Sequence, residues 1–153
     1  MKKLLCPLLS LTLLLSLAAC GGKPEEEPAP FSPTDAAALL SSGAFSETLE
    51  AIDADVACAL YGIDETTLTD AAVYGSTGTT AEELAILTLT DEEAAQAALT
   101  ALGYRVEDRT AAMENYLPNE VPKLQNAVLE QRGNTVLLVV ASDYSPVENF
   151  INK

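Results

Sequence analysis

The chain has 153 residues, with 23 acidic against 8 basic side chains, a net charge of −15 and no histidine. That balance excludes nucleic-acid binding by phosphate neutralisation, which rests on lysine and arginine. The missing histidine removes the commonest general base and transition-metal ligand, and with it serine–histidine and cysteine–histidine nucleophile systems.

The chain opens Met1-Lys2-Lys3, and residues 4–19 then run without a charge. The run is shorter than the roughly 20 apolar residues of a membrane-spanning helix. A basic start, an apolar stretch and small residues at its end form a secretory signal. An ordinary secreted protein cut after Ala19 would share these features. The order Leu17-Ala18-Ala19-Cys20, followed by two glycines, resembles the bacterial lipobox. That resemblance implies a diacylglycerol on the Cys20 thiol and cleavage before it, so residues 1–19 are the signal. Two acyl chains, at about 0.8 kcal/mol per buried methylene, give durable anchoring where one does not. The expected location is the extracytoplasmic face of the cell membrane.

Residues 20–31 then read as a lipidated cysteine and a disordered tether, because GGKPEEEPAPF cannot bury enough apolar surface to fold. Eleven residues reach at most roughly 35–40 Å. Residues 32–153 fit one domain. Cys6 leaves with the signal and Cys20 takes lipid, so Cys58 stands alone. Between Val56 and Leu60 it suits a core position.

Ser32-Pro33-Thr34-Asp35 opens a helix by capping, proline at the first position and an acid at the positive end. Gly43 ends it. Residues 53–61 form a second helix whose apolar stripe is Ile52, Val56, Ala59, Leu60 and Ile63, stopped by Gly62. Residues 70–76 are a strand and GSTGTT the turn after it. Thr80-Ala81-Glu82-Glu83 has the pattern of a capping box and predicts a helical turn. Residues 84–90 alternate as a second strand. Thr90-Asp91-Glu92-Glu93 opens the longest helix, residues 91–115, with Ala95, Leu99, Leu102, Val106 and Met113 inward. Pro118 and Pro122 confine an ordered loop. Residues 124–131 are a third strand, Arg132-Gly133-Asn134 a tight turn, and 135–142 a fourth strand. The unbroken apolar run TVLLVVAS points to a central strand covered on both faces or nearly so. Residues 145–151 close the chain as a helix. The expectation is an α+β domain, a mostly antiparallel four-stranded sheet with helices packed on one face.

Five segments then carry a resemblance: LYGID at 60–64, AAVYGSTGTTAEELAI at 71–86, the long acid-led helix, NYLPNEVPKLQNAV at 115–128 and GNTVLLVVASD at 133–143. Together they resemble the bacterial lipoprotein family catalogued as domain of unknown function 4358. The resemblance implies a small secreted or lipid-anchored protein of Gram-positive bacteria. It implies no activity, cofactor or catalytic residue.

Other motifs are weak. GSTGTT lacks the lysine of a Walker loop and reads as a turn. A serine–lysine pair could use only Lys123, and no serine lies beside it in sequence. Asp53, Asp55, Asp64 and Glu65 are the densest acid cluster. They lack the register of a calcium loop and read as solvated helix ends, with a weak divalent-cation site as the alternative. No tryptophan supports a sugar-stacking cleft. The apolar loop around Tyr116, Leu117, Pro118, Val121 and Pro122 either packs over the long helix or is exposed for recognition. Joined with Tyr74 and Thr79 of the 74–80 turn, it is the expected interaction surface. The sequence-level function is therefore a non-enzymatic binding module, attached to the membrane by lipid, for an unidentified extracytoplasmic protein or small ligand. No cofactor or metal is expected; the alternative is a weak divalent-cation binder.

Overall fold

The structure is a computed structural model that describes residues 27–153. Leu17, Ala18, Ala19 and Cys20 lie outside the described residues, as does the tether up to residue 26. Phe31, the last residue of the expected tether, is buried. Its N–H donates to Thr135 Oγ1 at 2.9 Å, and the Arg132 guanidinium sits 4.2 Å from its ring centre. Phe31 is thus part of the fold rather than of a tether.

Ser32 caps a 3-10 turn, Pro33–Asp35, through a complete capping box with Asp35. Helix α1, Ala36–Leu40, follows directly. Strand β1, Glu50–Ile52, leads into α2, Ala54–Tyr61, which Gly62 ends at φ +69°. Strands β2, Leu68–Gly75, and β3, Glu83–Leu89, pair antiparallel. Asp91 accepts the Ala94 N–H at 2.8 Å and starts α3, Glu92–Tyr116. A 3-10 turn, Pro118–Glu120, and α4, Val121–Gln125, fold back beneath it. Strands β4, Val128–Arg132, and β5, Thr135–Val140, form a hairpin, and α5, Ser145–Ile151, ends the fold.

The sheet is antiparallel throughout, in the order β1-β2-β3-β5-β4. It has five strands rather than the expected four. β1 is only three residues, too short for alternation to register; it is a strand because it pairs with Val73–Gly75. The helices also cover both faces, not one. Side chains of β3 and β5 alternate across the sheet. Ala85, Leu87, Leu89, Val136, Leu138 and Val140 join a core with α2, α3 and α4. Leu84, Ile86, Leu137 and Val139 join a second core with α1 and α5. The unbroken apolar run of β5 is the mark of that double cover.

Three local expectations are corrected. In α2 the buried side chains are Ala57, Cys58 and Tyr61, while Val56 and Leu60 are 53% and 41% exposed. A tyrosine displaces the more apolar stripe because its hydroxyl has a buried carboxylate to meet. Thr80-Ala81-Glu82-Glu83 forms no helix. Thr80 Oγ1 does accept the Glu82 N–H at 3.2 Å, but Glu83 enters the sheet as the first residue of β3. The third expected strand starts at Val128, not Leu124, because α4 takes residues 121–125.

At 1.5 Å per residue α3 is about 37 Å long. The seven residues of β3 span roughly 23 Å. The helix therefore overhangs the sheet, and only Ala95, Ala98 and Leu102 of its first half are fully buried. The 118–125 segment covers the overhang, with Leu124 reaching the first core.

Candidate functional site

Glu82 and Glu83 stand side by side where the chain enters β3, and both are essentially inaccessible to solvent. Adjacent residues of an extended chain point to opposite faces, so the two carboxylates serve different layers. Burying an ionised carboxylate is costly unless charges and donors meet it. Each has such partners.

Glu83 faces α2 and α3. Its Oε1 accepts from the Tyr61 hydroxyl at 2.8 Å and from Arg105 Nε at 3.1 Å. Its Oε2 accepts from Arg105 Nη2 at 3.2 Å and from Arg109 Nη1. The two arginines lie one turn apart on α3, the spacing that brings side chains together on one helix face. Arg105 also lies 5.6 Å from the Tyr61 ring centre. Burial, reinforced by the Glu83 charge, pushes the Tyr61 phenol well above its ordinary range and keeps it a donor.

Glu82 faces the loops. Its carboxylate accepts from the Ser46 N–H at 3.0 Å, the Ser46 hydroxyl at 2.8 Å, the Ser142 hydroxyl, and Lys123 Nζ at 3.1 Å. Burial pushes this carboxyl upward, but the Ser142 and Ser46 hydroxyls, the Ser46 N–H and Lys123 together outweigh it and hold it below the usual range. Burial likewise acts to lower Lys123, and Glu120 and Glu82 override it, so the ammonium is held more firmly than usual. Glu120 Oε2 lies 2.9 Å from Lys123 Nζ.

Ser46 and Ser142 thus converge with Lys123 on one carboxylate. Neither serine is near Lys123 in sequence, and residue spacing alone does not find them. The geometry of the cluster is that of a clamp: Lys123 Nζ meets the carboxylates of Glu82 and Glu120, and both serine hydroxyls meet Glu82. No buried side-chain nitrogen or oxygen among the described residues lacks a partner.

These clamps position the expected surface. Glu120 Oε2 accepts the Ala81 N–H at 2.9 Å, joining the turn after α3 to the turn after β2. Thr79 Oγ1 and Thr80 Oγ1 donate to the two oxygens of Glu47 at 2.8 and 2.6 Å. Thr79 is exposed and Tyr116 is 75% exposed. Pro118 and Pro122 are exposed; Leu117 and Val121 are half-buried and belong to neither core. Tyr74 does not join them. It is half-buried against the second core, on the face away from α3.

The acid cluster is spread along separate elements. Asp64 Oδ1 accepts from the Thr66 N–H and hydroxyl at 2.9 and 2.8 Å. Among the described residues, no three cysteine, aspartate or glutamate side chains are grouped to hold a metal ion. Cys58 is buried, and burial raises its thiol pKa above the ordinary value.

The family model described as Domain of unknown function (DUF4358) matches residues 41–141. The chain belongs to this family. The DUF4358 match takes in all five strands, α2 to α4 and both glutamates. Helices α1 and α5, which cover the second core, lie outside it. No curated protein and no solved structure matches the chain.

Proposed function

We propose that this DUF4358 chain is a lipid-anchored extracytoplasmic protein whose domain is a non-enzymatic binding module. The binding surface is the 115–123 segment together with the 76–80 turn. Anchoring is read from Leu17-Ala18-Ala19-Cys20 after a basic and then apolar leader. The observation that carries the binding surface is the Glu120–Ala81 bond, between residues 39 apart in sequence. With the Lys123–Glu82 pair it fixes two remote turns against each other beside an exposed tyrosine and two exposed prolines. Ordered turns held on a rigid scaffold are where binding residues concentrate. An aromatic side chain with a polar tip is a frequent interface anchor.

A photo-crosslinking amino acid in place of Tyr116, used on intact cells, tests the surface. Tyr104, 63% exposed on α3, is the control position. A reproducible adduct from residue 116 and not from 104 is expected. No adduct at 116, or the same adducts from both, refutes the surface. Mass spectrometry of the native protein tests the anchor separately: a bare residue 20, or a retained leader, removes it.

A further inference from the structure

A second surface, independent of the turns above, lies along the outer edge of β2. β1 pairs only with Val73–Gly75. Among the described residues no strand covers the outer edge of residues 68–72, while β3 takes the inner one. The direction of the backbone there follows from the ladder. Ser76 N–H donates to Glu82 O. Bonding to a given neighbour alternates along an antiparallel strand. Residues 76, 74 and 72 therefore bond toward β3, and 75, 73 and 71 turn outward. Gly75 and Val73 face β1. The N–H and C=O of Ala71 face the open edge.

The protein meets that edge locally. Asp70 Oδ1 accepts the Ala71 N–H at 2.9 Å, in the place a neighbouring strand's carbonyl would take. A groove of about 330 Å³ runs beside the edge, lined by Ala54, Glu65, Leu68, Thr69, Asp70 and Ala71. Ala54, Leu68 and Ala71 make it small and apolar; Glu65 and Asp70 make it anionic. Arg105, Arg109, Lys123 and Arg132 all pair with carboxylates elsewhere in the domain. The edge thus carries acid charge that these cations do not balance. The other sheet edge, β4, is better guarded. Arg132 there pairs with Glu130 and donates to Ile151 O at 2.6 Å, and Gln131 donates to Glu92 O at 3.1 Å.

We propose that residues 68–72 of β2 accept an extended segment of a partner protein as an added strand, one in which basic and small apolar residues alternate. Its main chain bonds the outward groups of Ala71, as in strand addition to other free sheet edges. Its apolar side chains enter the Ala54–Leu68–Ala71 groove, and its lysines or arginines, on the opposite face of the added strand, meet Asp70, which alternates with Ala71 along β2. A cation on Asp70 draws that carboxylate off the Ala71 N–H, which then donates to the incoming carbonyl. The charge pattern therefore selects the segment and also uncovers the donor.

Nuclear magnetic resonance on the ¹⁵N-labelled protein, titrated with a decapeptide of alternating lysine and valine, tests this. Shift changes centred on residues 68–72 and at least about tenfold slower exchange of the Ala71 amide are expected, as for an amide gaining a protected bond. The glutamate–valine analogue should do neither. Asp70→Asn should weaken binding about twofold to fivefold, the size of one exposed ion pair. Shifts scattered over the acidic surface without slowing at Ala71, or no binding at millimolar peptide, overturn the proposal.

Discussion

Replacing Glu83 by alanine removes one carboxylate and strands the donors of three side chains. Tyr61, 5% exposed, loses the acceptor of its hydroxyl, a loss of about 1–3 kcal/mol for a buried polar group. Arg105 and Arg109 lose their shared counter-charge. Breaking a buried ion pair from one side costs about 3–5 kcal/mol. Here the arginine side chains are 19% and 18% exposed, so both guanidiniums can recover water, and the lower end applies. The expected loss for Glu83→Ala is about 3 kcal/mol in all, since the hydroxyl and the ion pair share the same carboxylate. At roughly 3–5 °C per kcal/mol for a domain of this size, Tm should fall about 10–15 °C. Glu83→Gln keeps an acceptor for Tyr61 and should lose about half as much. Urea denaturation at neutral pH, followed by circular dichroism, measures both. A loss below about 1 kcal/mol for Glu83→Ala, the range of surface changes, would refute the clamp. So would a glutamine variant as unstable as the alanine one, because the ordering rests on the acceptor being retained.

Two further outcomes follow from the same structure. Glu82 titrates below its ordinary value of 4.5 in the folded chain, so its contribution is present above that pH and is lost as pH falls through the lower folded value. Urea midpoints taken from pH 6 to 3 should decline less steeply in Glu82→Gln than in the parent; parallel slopes would show that Glu82 does not carry the acid sensitivity. Gly103 sits inside α3 with nothing within 4 Å of where a Cβ would stand. Gly103→Ala should stabilise by about 0.5–1 kcal/mol through helix propensity, raising Tm by a few degrees, and a lowered Tm would mean the helix is not regular there.

The legible features were those whose cause lies within a few residues. Ser32 and Asp91 cap the helices that follow them because a side-chain oxygen reaches the N–H groups of the next turn. Gly62 and Gly133 take positive φ, the stop of α2 and the turn between β4 and β5. Cys58 could be placed inside from its apolar neighbours. The same local logic misled at Thr80–Glu83, where a capping pattern and a buried strand entry share one spelling. It misled again on α2, where a stripe drawn from hydrophobicity passed over Tyr61. The proposed interaction surface was readable as two apolar or glycine-rich turns. That Glu120 joins them, and that Tyr74 lies apart, was not.

By itself the sequence determined the acidic character, a basic and then apolar opening that runs to Cys20, the order of most helices and strands, and the unbroken apolar run of β5. Tertiary structure alone decided that Glu82 and Glu83 are buried and what they hold. The physical reason is distance along the chain. A glutamate pair reads as solvated surface until its hydrogen-bond and charge partners arrive, and they come from 22 to 60 residues away. Only folding brings Arg105, Lys123, Ser142 and Tyr61 to two carboxylates that water would otherwise claim.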